Sequence, residues 1–341
     1  MKEIRTTQAV GHILCHDITR IVRGVSKGVA FSKGHIVTQE DIPLLLELGK
    51  EHLYVWEKQE GFLHENEAAD ILYEICAGEN MMPTPVKEGK IEVIAQVKGL
   101  LKVDIEKLRK INSLGEMMIA TRRSNTPVDI GDHIAGTRVI PLVIEQEKMD
   151  QVKKLAANKP ILTLYPYKPK KVAIITTGNE VFNGLINDTF TPVIREKISY
   201  FNATEIGHTI IGDDPASITR AINAFISYGA ELILCTGGMS VDPDDKTPLA
   251  IKNTKARIVS YGSPVLPGAM FLLAYTDEGI PIMGLPGCVM YAKRTIFDLI
   301  LPRIMADIQV NEYDLAALGH GGLCLNCESC IFPNCGFGSG I

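Results

Sequence analysis

A glycine pair, Gly237-Gly238, is followed by the carboxylates Asp242, Asp244 and Asp245 in the stretch LILCTGGMSVDPDDKTP, Leu232 to Pro248. Adjacent glycines after an apolar run let backbone N–H groups come close to a ligand, as phosphate-cradling loops do. Carboxylates on the same loop would repel a phosphate unless a divalent cation stood between them. These residue types point to a phosphorylated small molecule bound with Mg2+, and Asp213 on an upstream loop supplies a fourth carboxylate.

Such a loop needs a strand behind it. Leu232-Ile233-Leu234-Cys235 reads as a buried strand, and so does Val172 to Thr177, which ends in Gly178. Continuous apolar runs of this length suit parallel strands covered on both faces. Further strands are expected at Glu205–Ile211, Arg257–Ser260, Ala269–Leu273 and Ile280–Leu285. Helices are expected at Pro192–Phe201, Pro215–Tyr228 and Gly287–Ala306. The alternation predicts an α/β domain over 170–308, a three-layer, mostly parallel sheet with helices on both faces. Ligands of such sheets bind at the carboxyl ends of the strands.

The loops at those ends are polar. They carry Thr177-Gly178-Asn179-Glu180, Gly212-Asp213-Asp214-Pro215, the Gly237-Gly238-Met239-Ser240 loop, and Gly284-Leu285-Pro286-Gly287. Taken singly, TGNE is an ordinary loop and DDP an ordinary helix cap. The last of the four is expected to open a long helix whose N-terminus faces an anion. Four such loops on one sheet edge make a stronger case than any one.

In this order, TTGNEV, GDDP, CTGGMSVDPDD and GLPGCV resemble the molybdopterin-binding domain shared by molybdenum cofactor biosynthesis proteins. The usual family forms are TGDE, a GG-T/V-S-x-G-x-x-D loop, and GLPGNP. The resemblance spans about residues 170–306 and is nearest the molybdenumtransferase branch, which inserts molybdate into adenylylated molybdopterin and releases AMP. It implies that Gly237, Gly238 and Ser240 hold a terminal phosphate or diphosphate. It further implies pterin-binding roles for Thr177, Gly178, Asn179, Thr236, Met239, Asp242, Lys246, Pro286 and Gly287. Catalytic, cation-holding roles would fall to Glu180, Asp213 and Asp245, with Mg2+ offsetting charge on the leaving AMP.

Three positions depart from the family forms: Asn179 stands for an acidic residue, Asp242 for glycine and Cys288 for asparagine. The segment AMDGYA of the transferase branch has no counterpart in the sequence. A non-catalytic carrier delivering molybdopterin to a recipient molybdoenzyme is therefore the alternative. Adenylylation of molybdopterin by ATP is a third reading. The resemblance also implies a homo-oligomer.

The first 160 residues form an N-terminal α+β, β-rich region. Helices are expected at 39–48, 65–76, 104–112 and 145–157, a strand at Leu53–Trp56, and alternating β-rich sequence over 88–145. Residues 160–169, with three prolines, read as a linker.

Of eight cysteines, four fall in a C-terminal tail over 319–341: Cys324, Cys327, Cys330 and Cys335, in GHGGLCLNCESCIFPNCGFGSG. Four thiols at this spacing suit metal ligation better than disulfides in a cytoplasmic chain. Zn2+ and an iron–sulfur cluster both remain open. The tail is expected to dock a partner enzyme or to sense redox state.

The net charge of −5 lacks the basic excess of a nucleic-acid binder. Val289–Ile304 is apolar but carries Lys293, Arg294, Asp298 and Arg303, so no membrane span is expected. The N-terminus does not read as a signal peptide, and the expected location is cytoplasmic.

Overall fold

The computed structural model describes residues 2–22, 26–55, 60–157, 159–240, 242–243 and 245–340. The chain divides into two compact units. The first comprises 1–97, 102–122 and 129–164; the second comprises 98–101, 123–128 and 165–341, with the cysteine-rich tail in it.

The second unit is a three-layer α/β structure. Its strands are β1 (Lys171–Thr177), β2 (Thr204–Ile211), β3 (Leu232–Thr236), β4 (Arg257–Tyr261), β5 (Leu272–Tyr275) and β6 (Pro281–Leu285). They are ordered β2-β1-β3-β6-β5-β4. The pairs β1·β2, β1·β3 and β3·β6 are parallel, while β5 runs antiparallel to both β6 and β4. Only β5 is reversed, so the carboxyl end of β4 shares an edge with those of β1, β2, β3 and β6. The central strands β3 and β6 are buried at every residue. That double burial is why they read as unbroken apolar runs.

Side-chain alternation splits the interior in two. Val172, Ile174, Leu232, Leu234, Met283 and Leu285 face one core, which includes residues of α2 (Phe190–Ser199) and α5 (Ile296–Met305). Ala173, Ile175, Ile233, Cys235 and Ile282 face the other, which includes residues of α3 (Pro215–Ser227) and α4 (Thr247–Asn253). A single turn of helix, α1 (Asn179–Phe182), follows β1.

The long helix expected over 287–306 is not formed as such. Gly287–Met290 is a 3-10 turn, and α5 begins only at Ile296. Thr295 is the reason. Its hydroxyl accepts from the Phe297 amide at 3.2 Å while the Asp298 carboxylate accepts from the Thr295 amide at 2.8 Å, a reciprocal cap that fixes the helix start. Residues 160–169 are likewise more than a linker, since Leu162–Pro166 is a strand with Leu162 and Leu164 buried. The strand expected at Ala269–Leu273 lies at Leu272–Tyr275.

The first unit contains a four-stranded antiparallel sheet, in the order Met81–Pro83, Lys90–Ala95, His133–Val139, Met117–Thr121. Its helices are Asp41–Glu47, Glu65–Cys76, Ile105–Asn112 and Gln146–Ala156. The expected strand near residue 53 is His52–Val55; Trp56 lies outside the described residues. No helix among the described residues is long and apolar enough to cross a membrane.

Asp298, 7% exposed, also takes the Lys197 ammonium at 2.6 Å and Arg294 Nη1 at 2.9 Å. Asp298→Ala should therefore destabilise the second unit by about 3 kcal/mol, because it leaves a poorly solvated cation and an uncapped helix. Urea unfolding followed by far-UV circular dichroism measures this; a loss under about 0.5 kcal/mol, the scale of ordinary surface substitutions, would contradict it.

Candidate functional site

The loop after β3 is set by contact with the end of β1. Gly237 and Gly238 have φ of +78° and +56°. A Cβ on Gly237 would stand 2.1 Å from the Thr177 carbonyl oxygen, and one on Gly238 would stand 2.8 Å from Thr247 Oγ1. No side chain fits at the first position without moving backbone. The Thr177 and Thr247 hydroxyls meet at 3.0 Å, and Thr247 Oγ1 donates to the Gly237 carbonyl at 2.9 Å. The Thr247 amide donates to Gly238 O at 3.2 Å, so α4 starts directly beneath the loop. Lys246 occupies the N-cap position of α4 and is half-buried.

Met239 turns inward. Its thioether fills the space over Gly284 of β6, where an added Cβ would stand 2.5 Å from the sulfur. Met239 is thus a core side chain, and only its backbone can serve the loop. The Thr236 hydroxyl is fully buried with no partner among the described residues. Thr236 is the register partner of Thr176 on β1.

The acidic residues do different work from one another. The Asp213 carboxylate accepts from the Asn179 amide at 2.9 Å, and Asn179 Oδ1 accepts from the Asp213 amide at 3.1 Å. This reciprocal clamp ties the loop after β1 to the loop after β2. Asn179 is therefore a strut, and one face of Asp213 is spent on it. Asp214 caps α3 through the Ser217 amide at 2.9 Å, the ordinary cap that DDP suggests. Glu180 is exposed on α1, its carboxyl group folded over Gly178. Asp245 accepts from the Asp242 amide at 3.2 Å and donates its own amide to the Asp242 carbonyl at 2.9 Å, closing a tight turn. Asp242 is exposed, Asp245 half-buried, and Asp244 lies outside the described residues.

Among the described residues no three His, Cys, Asp or Glu side chains converge as ligands of one ion. A cation bridging Glu180, Asp213 and Asp245 to a ligand, as expected from the sequence, would take ligand oxygens as well as these carboxylates. The expectation that Pro286 and Gly287 open a helix N-terminus toward an anion fails with the helix: they begin a 3-10 turn of four residues.

Two elements of the site carry no motif. Tyr261, at the carboxyl end of β4, donates its hydroxyl to the Met239 and Ser240 carbonyls at 3.1 and 3.3 Å. Partial burial, and then the Asp245 charge, push its phenol up. The second element is a cluster around Asp188. Asp188 Oδ2 accepts from the hydroxyls of Thr176 at 2.9 Å and Thr191 at 2.6 Å, and Oδ1 from the Phe190 and Thr191 amides at 2.9 and 3.0 Å. His208 Nε2 lies 3.0 Å from Thr176 Oγ1 and 3.2 Å from Thr191 Oγ1. The two hydroxyls lie 3.1 Å apart, so Nε2 joins a closed cluster of side chains around Asp188. Burial alone would push the Asp188 carboxyl up; the hydrogen bonds from Thr191, Thr176 and Phe190 outweigh it and hold the group below the usual carboxylate range.

In the tail, Cys324 and Cys335 are half-buried and Cys327 and Cys330 exposed, all as free thiols. All four line one cavity.

Residues 173–306 match a family described as a probable molybdopterin binding domain, and residues 3–57 match a domain of unknown function. A molybdenum cofactor biosynthesis bifunctional protein of Synechococcus elongatus is 37% identical over 83 residues, 24% of this chain and 26% of that protein. A CinA-like protein of Mycolicibacterium vanbaalenii is 32% identical over 78 residues, 23% of this chain and 18% of that protein. The chain thus spans about a quarter or less of these relatives. Among solved structures, the molybdopterin biosynthesis enzyme MoaB of Thermus thermophilus is 22% identical, covering 40% of this chain and 91% of that one, with a TM-score of 0.34. The tungsten cofactor synthesizing protein MoaB of Pyrococcus furiosus is 19% identical, covering 42% and 99%, with a TM-score of 0.35.

Two outcomes check the geometry. Gly237→Ala should cost about 1–3 kcal/mol of stability through its strained φ and backbone clash, whereas Gly287→Ala, with nothing within 4 Å of the added Cβ, should stay within about 0.5 kcal/mol. Denaturant midpoints of the two variants test the contrast; equal midpoints would refute it. The folded Asp188 pKa lies below its unfolded value, so its stabilisation is present above about pH 4 and is lost as pH falls through the folded pKa. Asp188→Asn should be less stable at neutral pH and should flatten the acid limb of stability against pH. An unchanged acid limb would show that Asp188 is not the group responsible.

Proposed function

We propose that the second unit binds the phosphate of adenylylated molybdopterin at the Gly237–Gly238 loop and inserts molybdate with release of AMP. The observation that carries this reading is the loop itself, stripped of side-chain bulk and held at the carboxyl edge of the sheet. The match of residues 173–306 to a molybdopterin-binding family supplies the ligand class. The Synechococcus relative, named for molybdenum cofactor biosynthesis, supports the same direction.

Gly237 and Gly238 turn at positive φ against Thr177 and Thr247, which leaves a loop without side chains to offer its backbone to the phosphate. Ser240 and Lys246, on the same loop, supply a hydroxyl and a cationic side chain for its oxygens. Asp245, oriented by its turn with Asp242, is the carboxylate placed to receive a cation shared with that phosphate. Mg2+ bound there would lower the charge on the leaving AMP. Tyr261 fixes the loop carbonyls from below, so the loop is shaped before the ligand arrives. Asn179 and Asp213 keep the neighbouring loops at a set separation.

A carrier that binds molybdopterin without chemistry is the second reading. The Asn179–Asp213 clamp favours it, because it engages a carboxylate expected to be catalytic.

The purified full chain with adenylylated molybdopterin, molybdate and Mg2+ should release AMP, measured by chromatography. Binding without AMP release would select the carrier. Asp245→Ala should lower AMP release by at least about a hundredfold, the scale lost with one group that stabilises developing charge, while far-UV circular dichroism stays unchanged. Wild-type turnover in that variant would remove Asp245 from the mechanism.

A further inference from the structure

We propose that Cys324, Cys327, Cys330 and Cys335 bind a cubane iron–sulfur cluster. The inference rests on the tail alone and is independent of the pterin reading.

The first argument is volume. The four cysteines line a single cavity of about 330 Å³. That is roughly ten times the ~30 Å³ share of one water, far more than one metal ion fills. The second is arrangement. A tetrahedral zinc site, with Zn–S of about 2.3 Å, draws its four sulfurs to within about 4 Å of each other. Here two half-buried thiols, Cys324 and Cys335, and two exposed ones, Cys327 and Cys330, are spread around one cavity. In a cubane each thiolate binds a different iron, so the sulfurs ring a body rather than meet at a point. The third is spacing. Cys324-x2-Cys327-x2-Cys330 places three ligands in succession with the fourth apart, the layout of a cubane-binding run rather than of two paired zinc knuckles.

The surroundings suit an anionic cluster in an apolar shell. Arg294 lines the cavity with Cys330, and its Nε is buried without a partner among the described residues. Such an orphaned donor fits a cluster sulfur or cysteine thiolate as acceptor. Lys293 Nζ, also at the cavity, donates to the Glu328 and Cys327 carbonyls at 2.7 and 3.3 Å. Ile331, Phe332 and Phe337 give the wall its apolar character.

The cavity is held from outside the cysteines. The Leu266 amide donates to Gly322 O and the Cys324 amide to Leu266 O, each at 2.8 Å. Arg123 Nη2 donates to the Pro333 carbonyl at 2.9 Å, and Phe337 is buried in the core shared with α5. Ligation exchanges each S–H bond for an S–Fe bond, and the four protons pass to solvent. Two ferric ions, two ferrous ions and four sulfides come from outside the chain, so the cluster forms with no change of oxidation state.

The test uses the full chain, purified without oxygen and reconstituted with equal ferric and ferrous iron, sulfide and a thiol. About four irons and four acid-labile sulfides per chain are expected, with a broad visible charge-transfer absorption that dithionite bleaches. Cys330→Ser and Cys327→Ser, at exposed positions, should lose more than half of the iron and of that absorption while the far-UV spectrum of the apo form is kept. Cys288→Ser should retain both. One zinc per chain without sulfide, iron without sulfide, no bound metal, or full cluster content in Cys330→Ser would each overturn the proposal.

Discussion

Everything at the carboxyl edge depends on one close approach, that of Gly237 to the carbonyl of Thr177. The distance available admits a hydrogen atom and no carbon. Two neighbouring parallel strands end together there, and the loop after β3 turns back over the end of β1. The Thr177–Thr247 hydroxyl contact then locks α4 under that turn. A loop shaped this way cannot collapse onto its own side chains, because it has none at the crossing. The cost is conformational: two consecutive residues sit at positive φ, which glycine tolerates and other residues resist.

Adjacent residues of one strand serve opposite faces of the sheet. Thr177 bonds Thr247 of α4, whereas Thr176 donates directly to Asp188 and lies beside Thr191 of α2. Period-two alternation thus couples the glycine loop to a half-buried carboxylate without either touching the other. The two sides differ electrostatically. Asp188 accepts from four donors, while Asp245 accepts from one turn amide through a single carboxylate oxygen. A saturated carboxylate positions; an unsaturated one can bind.

What could be read from the sequence follows from this geometry. Strands β1, β3 and β6 were legible because burial on both faces removes polar residues, and the loops after them because glycine and carboxylate cluster there. The Asp214 cap was legible because Asp-Pro-x-Ser is local chemistry. The helix start at Ile296 was hidden by composition: Val289 to Ile304 is apolar enough for one helix, and the Thr295–Asp298 cap overrides that. Met239 looked like a loop residue and is core, because Gly284, on a strand over forty residues later, makes room for it. Asp188 and Tyr261 carry no motif. The first acquires its role from His208 and Thr176, which β1·β2 pairing sets near each other. The second reaches the site edge only because β5 is reversed, a topological fact that local periodicity does not encode.

The tail poses the opposite problem, with ligand chemistry plain in the sequence and fold absent from it. Residues 322–340 form no helix or strand, so few of their backbone groups are satisfied by regular pairing. Such a segment stays ordered only if something else offsets its conformational entropy. Phe337 in the core, the Arg123–Pro333 bond and the Leu266–Leu323 bridge hold its rim, yet they leave its centre a cavity with thiols turned toward it. A rim fixed by packing around a thiol-lined centre is what a polynuclear ligand needs, since it must be admitted after the surrounding core has folded.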